Sequence, residues 1–264
     1  MPLRVVRNLS LPDQVFEQLA QEIISGQFPP GSQIPPERAL VVTFNVNRHV
    51  VREALKRLEQ IGLVKSAQGG GTIALDFKKT AGLDLLALMA EHAQADDAAM
   101  TYWLATHEMR AAIAADAVRL CAIRASKKAK TEIVEIARKM AEVADGPELF
   151  MLEFRFWEHV MDGAGNIAYR LAYNSLVRAV LSPAAVALAQ TWSIYEIKEA
   201  AYRIPLANAI LAGDAATAEA MTRESLGMVV AHLTKRLGVK NESAPAVEAR
   251  PERKRGATGR KRRK

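Results

Sequence analysis

The sequence predicts a mainly α protein, with an N-terminal winged helix-turn-helix joined to a C-terminal all-α helical bundle. Three observations carry this expectation. Residues 36–75 set out a helix pattern, a tight break, a basic helix and two short strand patterns around a glycine tip. Residues 83–238 place apolar side chains at helical intervals, with no strand-like alternation. Residues 240–264 carry charge without apolar periodicity.

Residues 36–75 read PERALVVTFNVNRHVVREALKRLEQIGLVKSAQGGGTIAL. The first helix is expected to start with Pro36 at its N1 position, where a missing N–H costs nothing. Phe44-Asn45-Val46 make the turn, and Asn47 caps the next helix by accepting an orphan N–H. Val51, Ala54, Leu55, Leu58 and Ile61 then share one helical face. Arg48, Arg52 and Lys56 stack four residues apart behind it. Gly62 stands where a helix-ending C′ residue belongs. Residues 63–66 and 72–75 are expected to pair as strands across a turn at 67–71, whose glycines allow positive φ and close backbone approach. A buried face backed by a basic stripe suits a helix laid in the major groove of DNA.

Beyond residue 83 the expected helices cover 84–92, 100–124, 128–143, 147–162, 167–181, about 184–212 and 214–238. Pro147 and Glu148 suit a first turn. Gly165-Asn166 and Ser182-Pro183 mark breaks, and Asp214 after Gly213 caps the last helix. The result is a bundle of six or seven helices.

Composition excludes other classes. At 264 residues and 50% hydrophobic, the chain is long enough for two compact cores. It has no apolar run of about 18 residues and no signal-peptide hydrophobic region. A soluble, cytoplasmic and nucleoid-associated protein is expected. Cys121, alone, permits no disulfide within the chain and reads as packing. The histidines at 49, 92, 107, 159 and 232 form no zinc motif. No nucleophile–base pair or phosphate-cradling loop is visible, so no enzyme is expected.

The net charge of +7 is unevenly spread. Residues 250–264, RPERKRGATGRKRRK, carry 9 Lys/Arg against 1 Asp/Glu, whereas residues 81–249 carry 17 against 21. The tail is expected to be disordered. It either attracts phosphates without sequence preference or is a dispensable extension.

Residues 11–75 resemble the DNA-binding domain of the GntR family of bacterial transcription regulators, through LAQEIISGQFPPGSQIPPERAL, NRHVVREALKRLEQIGLV and GGGT. The resemblance implies operator contacts from Arg38, Arg48 and Arg52, with Gly70 and Gly71 of the wing beside them. Asn47, Lys56 and Thr72 complete the candidate interface, together with His49. His49 either reaches a base edge or a phosphate, or is a solvated surface histidine.

HEMRAAIAADAVRL at 107–120, AGN at 164–166 and ANAILAGDAATAEAMTRESL at 207–226 resemble the FCD (FadR-type) branch of that family. The branch implies a dimer that reads a short two-fold symmetric operator, with an effector bound in the bundle. Many of its members hold a divalent metal through an aspartate, a histidine four residues on and two later histidines. Counted from Gly165-Asn166 and Gly213-Asp214, those positions are Glu153, Trp157, Arg203 and Ser225. A guanidinium has no lone pair to offer a cation, and His159 lies about 120° round the helix from Glu153. The bundle is expected to be free of metal and of any other cofactor.

Arg110 is placed by the resemblance where an arginine meets the ligand. Arg110 and Arg203 either receive an anionic ligand or pair with Glu153. Trp157, Phe154, Phe156 and Trp192 either line an apolar cavity or are core.

The sequence thus points to a winged DNA-binding domain over residues 1–80, an effector-binding and dimerisation domain over 81–239, and a basic tail over 240–264. The expected function is a transcriptional regulator, acting as a repressor and controlled by an organic acid or acyl-CoA. The rival is a ligand-independent architectural DNA-binding protein with a degenerate effector domain.

Overall fold

The computed structural model describes residues 10–67, 70–92, 97–143, 146–180 and 202–238. Residues 184–201 of the helix expected over about 184–212, Trp192, Gly69 and the basic tail lie outside the described residues.

Helix α1 (Leu11–Ile24) opens on a reciprocal capping box, with Asp13 N donating to Ser10 Oγ at 3.4 Å and Ser10 N donating to Asp13 Oδ2 at 3.1 Å. No expected helix covered this segment, although Ser-Leu-Pro-Asp is a start signature. Val15, Phe16, Leu19 and Ile23 go into the core. The two-residue strand β1 (Gln33–Ile34) was also not anticipated.

Helix α2 (Glu37–Phe44) corrects one expectation: Pro36, at φ −62° and ψ 150°, is the extended N-cap, and Glu37 takes N1. Asn45 then adopts the left-handed conformation at φ 50° and ψ 46°, which its short polar side chain tolerates. Asn47 Oδ1 accepts from Val50 N at 3.0 Å and starts α3 (Arg48–Gln60), which buries Val50, Val51, Ala54, Leu55 and Leu58. Gly62 turns the chain out at φ +77°, where an added Cβ would lie 2.5 Å from the Thr80 carbonyl oxygen. Strands β2 (Val64–Ala67) and β3 (Gly71–Ala74) pair antiparallel, Val64 opposite Ala74, each one residue from its expected span. Strand β1 pairs with the other edge of β3.

The short α4 (Phe77–Thr80) closes back on α3, with Thr80 Oγ1 donating to Gly62 O at 2.6 Å. Leu85, Leu88 and Met89 of α5 (Leu85–His92) join the same core as α1 and α3. Ahead of α5, Asp84 accepts from Ser175 Oγ at 2.8 Å and pairs with Arg178.

The remaining helices are α6 (Asp97–Arg124), α7 (Lys127–Glu142), α8 (Pro147–Ala164), α9 (Ile167–Val180), α10 (Arg203–Ala212) and α11 (Ala215–Arg236). The long α6 packs against α8 and α11, while α7 lies against α8 and α10. Val118, Cys121, Ile133, Ala137, Phe156, Val160, Leu206 and Ile210 form the centre of their core. Asp214 caps α11 as expected, accepting from Thr217 N at 3.1 Å. Among the described residues no helix is long and apolar enough to cross a membrane.

Candidate nucleic-acid interface and bundle site

The buried face of α3 fixes which of its side chains meet solvent. With Val51, Leu55 and Leu58 turned inward, Arg48, His49, Arg52 and Lys56 are all exposed on the outer side. Asn47 is exposed at the cap, and Arg38 is exposed in the first turn of α2. Successive members of the stripe rise about 6 Å along the helix, a spacing suited to neighbouring base pairs and phosphates in a groove.

Glu37 was not anticipated in this surface. Its carboxylate accepts from Arg52 Nε at 3.0 and 3.1 Å, and its Oε2 lies 3.9 Å from Arg48 Nε. The contact crosses the turn between two helices, so no periodicity in the sequence reports it.

The wing presents backbone rather than side chain. Gly70 and Gly71 are exposed, and Gly71 has φ +82° with open space where a Cβ would sit. Gln33 Nε2 donates to Gly70 O at 3.4 Å and ties the tip to β1. Thr72 is half-buried in the central strand, paired with Ile34 on one side and Ser66 on the other.

In the bundle, Glu153, Trp157 and Arg203 come together. Arg203, only 1% exposed, donates from Nη2 to Glu153 Oε1 at 2.6 Å and from Nε to Oε2 at 3.1 Å. Trp157 Nε1 donates to Glu153 Oε1 at 2.7 Å, one helical turn on. Arg203 also lies 5.2 Å from the Trp157 ring centroid and 5.7 Å from that of Phe156, cation–π geometry on two faces. Arg110 Nη2 stands 3.8 Å from Glu153 Oε1 and its guanidinium 5.7 Å from the Trp157 ring.

This donor set does not fit a divalent cation. Both oxygens of Glu153 face N–H donors, and a guanidinium fills the position from which a third ligand would come. Among the described residues no group of three or more His, Cys, Asp or Glu is placed to hold a metal.

Beside this cluster lies a narrow apolar cavity lined by Arg110, Ile113, Trp157, Met161, Tyr173 and Leu176. Phe154 and Phe156 pack in the surrounding core, with Phe156 edge-on to Trp157. Burial pushes the Tyr173 phenol well above its ordinary value, and its hydroxyl donates to Phe154 O at 3.3 Å. Burial also pushes the Cys121 thiol up to about 11, so it is no thiolate nucleophile at neutral pH.

Residues 11–73 match the family described as bacterial regulatory proteins, gntR family, and residues 105–227 match the FCD domain. The HTH-type transcriptional regulator Mce2R of Mycobacterium tuberculosis is 35% identical over 228 residues, which cover 86% of this chain and 92% of that protein. A fatty acid metabolism regulator protein of Serratia proteamaculans is 29% identical over 160 residues, 61% of this chain and 65% of that one. Among solved structures, Lar, which controls expression of the Listeria monocytogenes agr system, superposes with a TM-score of 0.50 at 15% identity. That match covers 88% of this chain and 99% of Lar and bears on the fold alone. These relatives are regulators, not enzymes. With an exposed basic helix, a glycine wing and a helical FCD bundle in one chain, the protein belongs to the GntR family and is a DNA-binding transcriptional regulator.

Proposed function

We propose that the protein is a cytoplasmic, nucleoid-associated homodimeric repressor that reads a two-fold symmetric operator through Arg38, Arg48, Arg52 and the wing. Its operator affinity is set by a small anionic metabolite or acyl-CoA held in the bundle. The observation that carries the reading is the apolar cleft walled by the Arg110 guanidinium, which as it stands has room for no more than a water and opens further to admit a ligand. An apolar body with one anionic group matches such a lining, since a guanidinium recognises a carboxylate or phosphate. Arg203 is assigned to Glu153 as its counter-ion rather than to the ligand.

The cavity is joined physically to the DNA-binding end. Tyr173 and Leu176 of α9 line it, while Ser175 and Arg178 of α9 hold Asp84, just ahead of α5. The apolar side of α5 lies in the winged core. A ligand that shifts α9 thereby acts, through α5, on the core in which α3 packs. The Serratia relative is named a fatty acid metabolism regulator, which favours a ligand with a fatty acyl body.

A thermal-shift panel of organic acids and acyl-CoAs, followed by operator-binding assays with each hit, tests the proposal. A compound that raises the melting temperature and releases operator supports it. If no compound does either, the ligand-independent reading stands, in which the closed Glu153–Arg203–Trp157 cluster is a purely structural core.

A further inference from the structure

The stripe on α3 poses a physical problem. The Arg48 and Arg52 side chains are 65% and 63% exposed, and a long side chain loses its rotamer freedom when it docks. Reading guanine also needs two N–H donors of one guanidinium aimed together at O6 and N7. A loose arginine finds phosphates on any DNA as readily as one base edge.

Glu37 answers both demands. It stands at the first position of α2, 15 residues before Arg52, with its side chain 35% exposed. Both carboxylate oxygens take the Nε–H of Arg52, at 3.0 and 3.1 Å. Among the described residues nothing accepts from Arg52 Nη1 or Nη2, so the terminal fork that pairs with guanine stays open while its stem is held. The same carboxylate lies 3.9 Å from Arg48 Nε, so one anion sits between two arginines one helical turn apart.

We propose that Glu37 is a positioning residue for operator reading. It pre-orders Arg52, and through the longer contact Arg48, with their terminal amino groups free for base edges. Its charge also repels phosphates that approach the helix out of register. Glu37 therefore raises operator affinity and lowers affinity for other DNA. A carboxylate that read a cytosine N4 amino group directly, or that only fastened α2 to α3, would behave differently.

The test uses the full chain, a duplex library with a randomised centre and a 30-base-pair duplex of random sequence. Selection with the natural protein supplies the operator. Glu37→Gln, Arg52→Ala and the double variant are then compared by selection and by anisotropy, with melting temperatures alongside. Glu37→Gln is expected to bind the operator about ten-fold more weakly and the random duplex as tightly or more tightly. Its lost base preferences should be those that Arg52→Ala loses. Glu37→Gln should cost less operator affinity in the Arg52→Ala background, where only the longer Arg48 contact remains to be lost, than in the natural protein, and the melting temperature should not move. Unchanged operator preference in Glu37→Gln overturns the proposal. So does loss of a cytosine that Arg52→Ala still selects, or a loss of affinity that tracks a lowered melting temperature.

Discussion

Arg203 and Glu153 form a closed two-point pair inside the bundle, linking the first residue of α10 to the middle of α8 through contacts of 2.6 and 3.1 Å. With Arg203 1% exposed and the Glu153 side chain 12% exposed, neither charge has water to fall back on. Removing one partner strands the other. Arg203→Ala is expected to cost about 3–5 kcal/mol in a urea unfolding curve. Replacing both residues with apolar side chains of similar volume should recover most of that loss, because the pair's attraction is largely offset by its desolvation. In each variant that still folds, operator binding should persist.

The same pair makes a prediction about metal. Because Glu153 already meets Arg203 and Trp157, EDTA should leave the melting temperature of the purified protein unchanged, and elemental analysis should find no stoichiometric divalent metal. A bound metal would stabilise the folded state by mass action and be lost to the chelator. One zinc or nickel per subunit contradicts this reading.

Gly163 sets the approach of α8 to α6. A Cβ at this position would lie 2.5 Å from Cys121 Sγ and 3.1 Å from Ala125 Cβ, but 3.6 Å from Cys121 Cβ. The φ of Gly163 is ordinary, so the cost of a side chain is contact rather than backbone strain. Gly163→Ala should destabilise by about 1–3 kcal/mol through overpacking, despite alanine's better helix propensity. Adding Cys121→Ala should relieve part of that cost. A double-mutant cycle read by denaturant unfolding should show favourable coupling, and simple additivity would contradict it.

Asp13 ties α1 to α3, because it closes the Ser10 capping box and pairs with Arg57, whose guanidinium lies 4.4 Å from the Phe16 ring centroid. Hydrogen bonds from Ser10 and then from Arg57 hold its pKa below the ordinary 3.8. A lowered folded value means that Asp13 contributes its stability above 3.8 and loses it as pH falls through the lower folded value. The stability gap between the natural protein and Asp13→Asn should therefore be constant from pH 7 down to about pH 5 and close below 3.8. Thermal unfolding at stepped pH measures that gap, and a gap that widens in acid would contradict the assignment.

What the sequence revealed was local. The buried face of α3, the Asn47 cap, the Gly62 exit and the Asp214 cap each rest on a helical repeat or on a residue suited to one backbone position, and all lie where periodicity placed them. The two residues of β1 are too few to show a repeat. Helix α1 carries a Ser10-to-Asp13 start signature, which lies ahead of the segment where the helix-turn-helix pattern is legible. The Glu37–Arg52 contact and the convergence of Arg110, Met161, Tyr173 and Leu176 on one cavity depend on how helices pack, which no single helical pattern encodes. Arginine burial runs against composition rules, and only the count back from Gly213-Asp214 marked Arg203 as unusual.

If the Arg48–Arg52 stripe chooses the operator, the protein's discrimination between sequences depends on it. The quantity is the ratio of affinities of the full-length protein for its selected operator and for a scrambled duplex of equal length, at one stated salt concentration. Arg48→Ala and Arg52→Ala should each remove about 1–3 kcal/mol per contact in each half-site. The ratio should fall towards one while the melting temperature and the salt dependence on scrambled DNA are retained. An unchanged ratio in both variants would contradict the account.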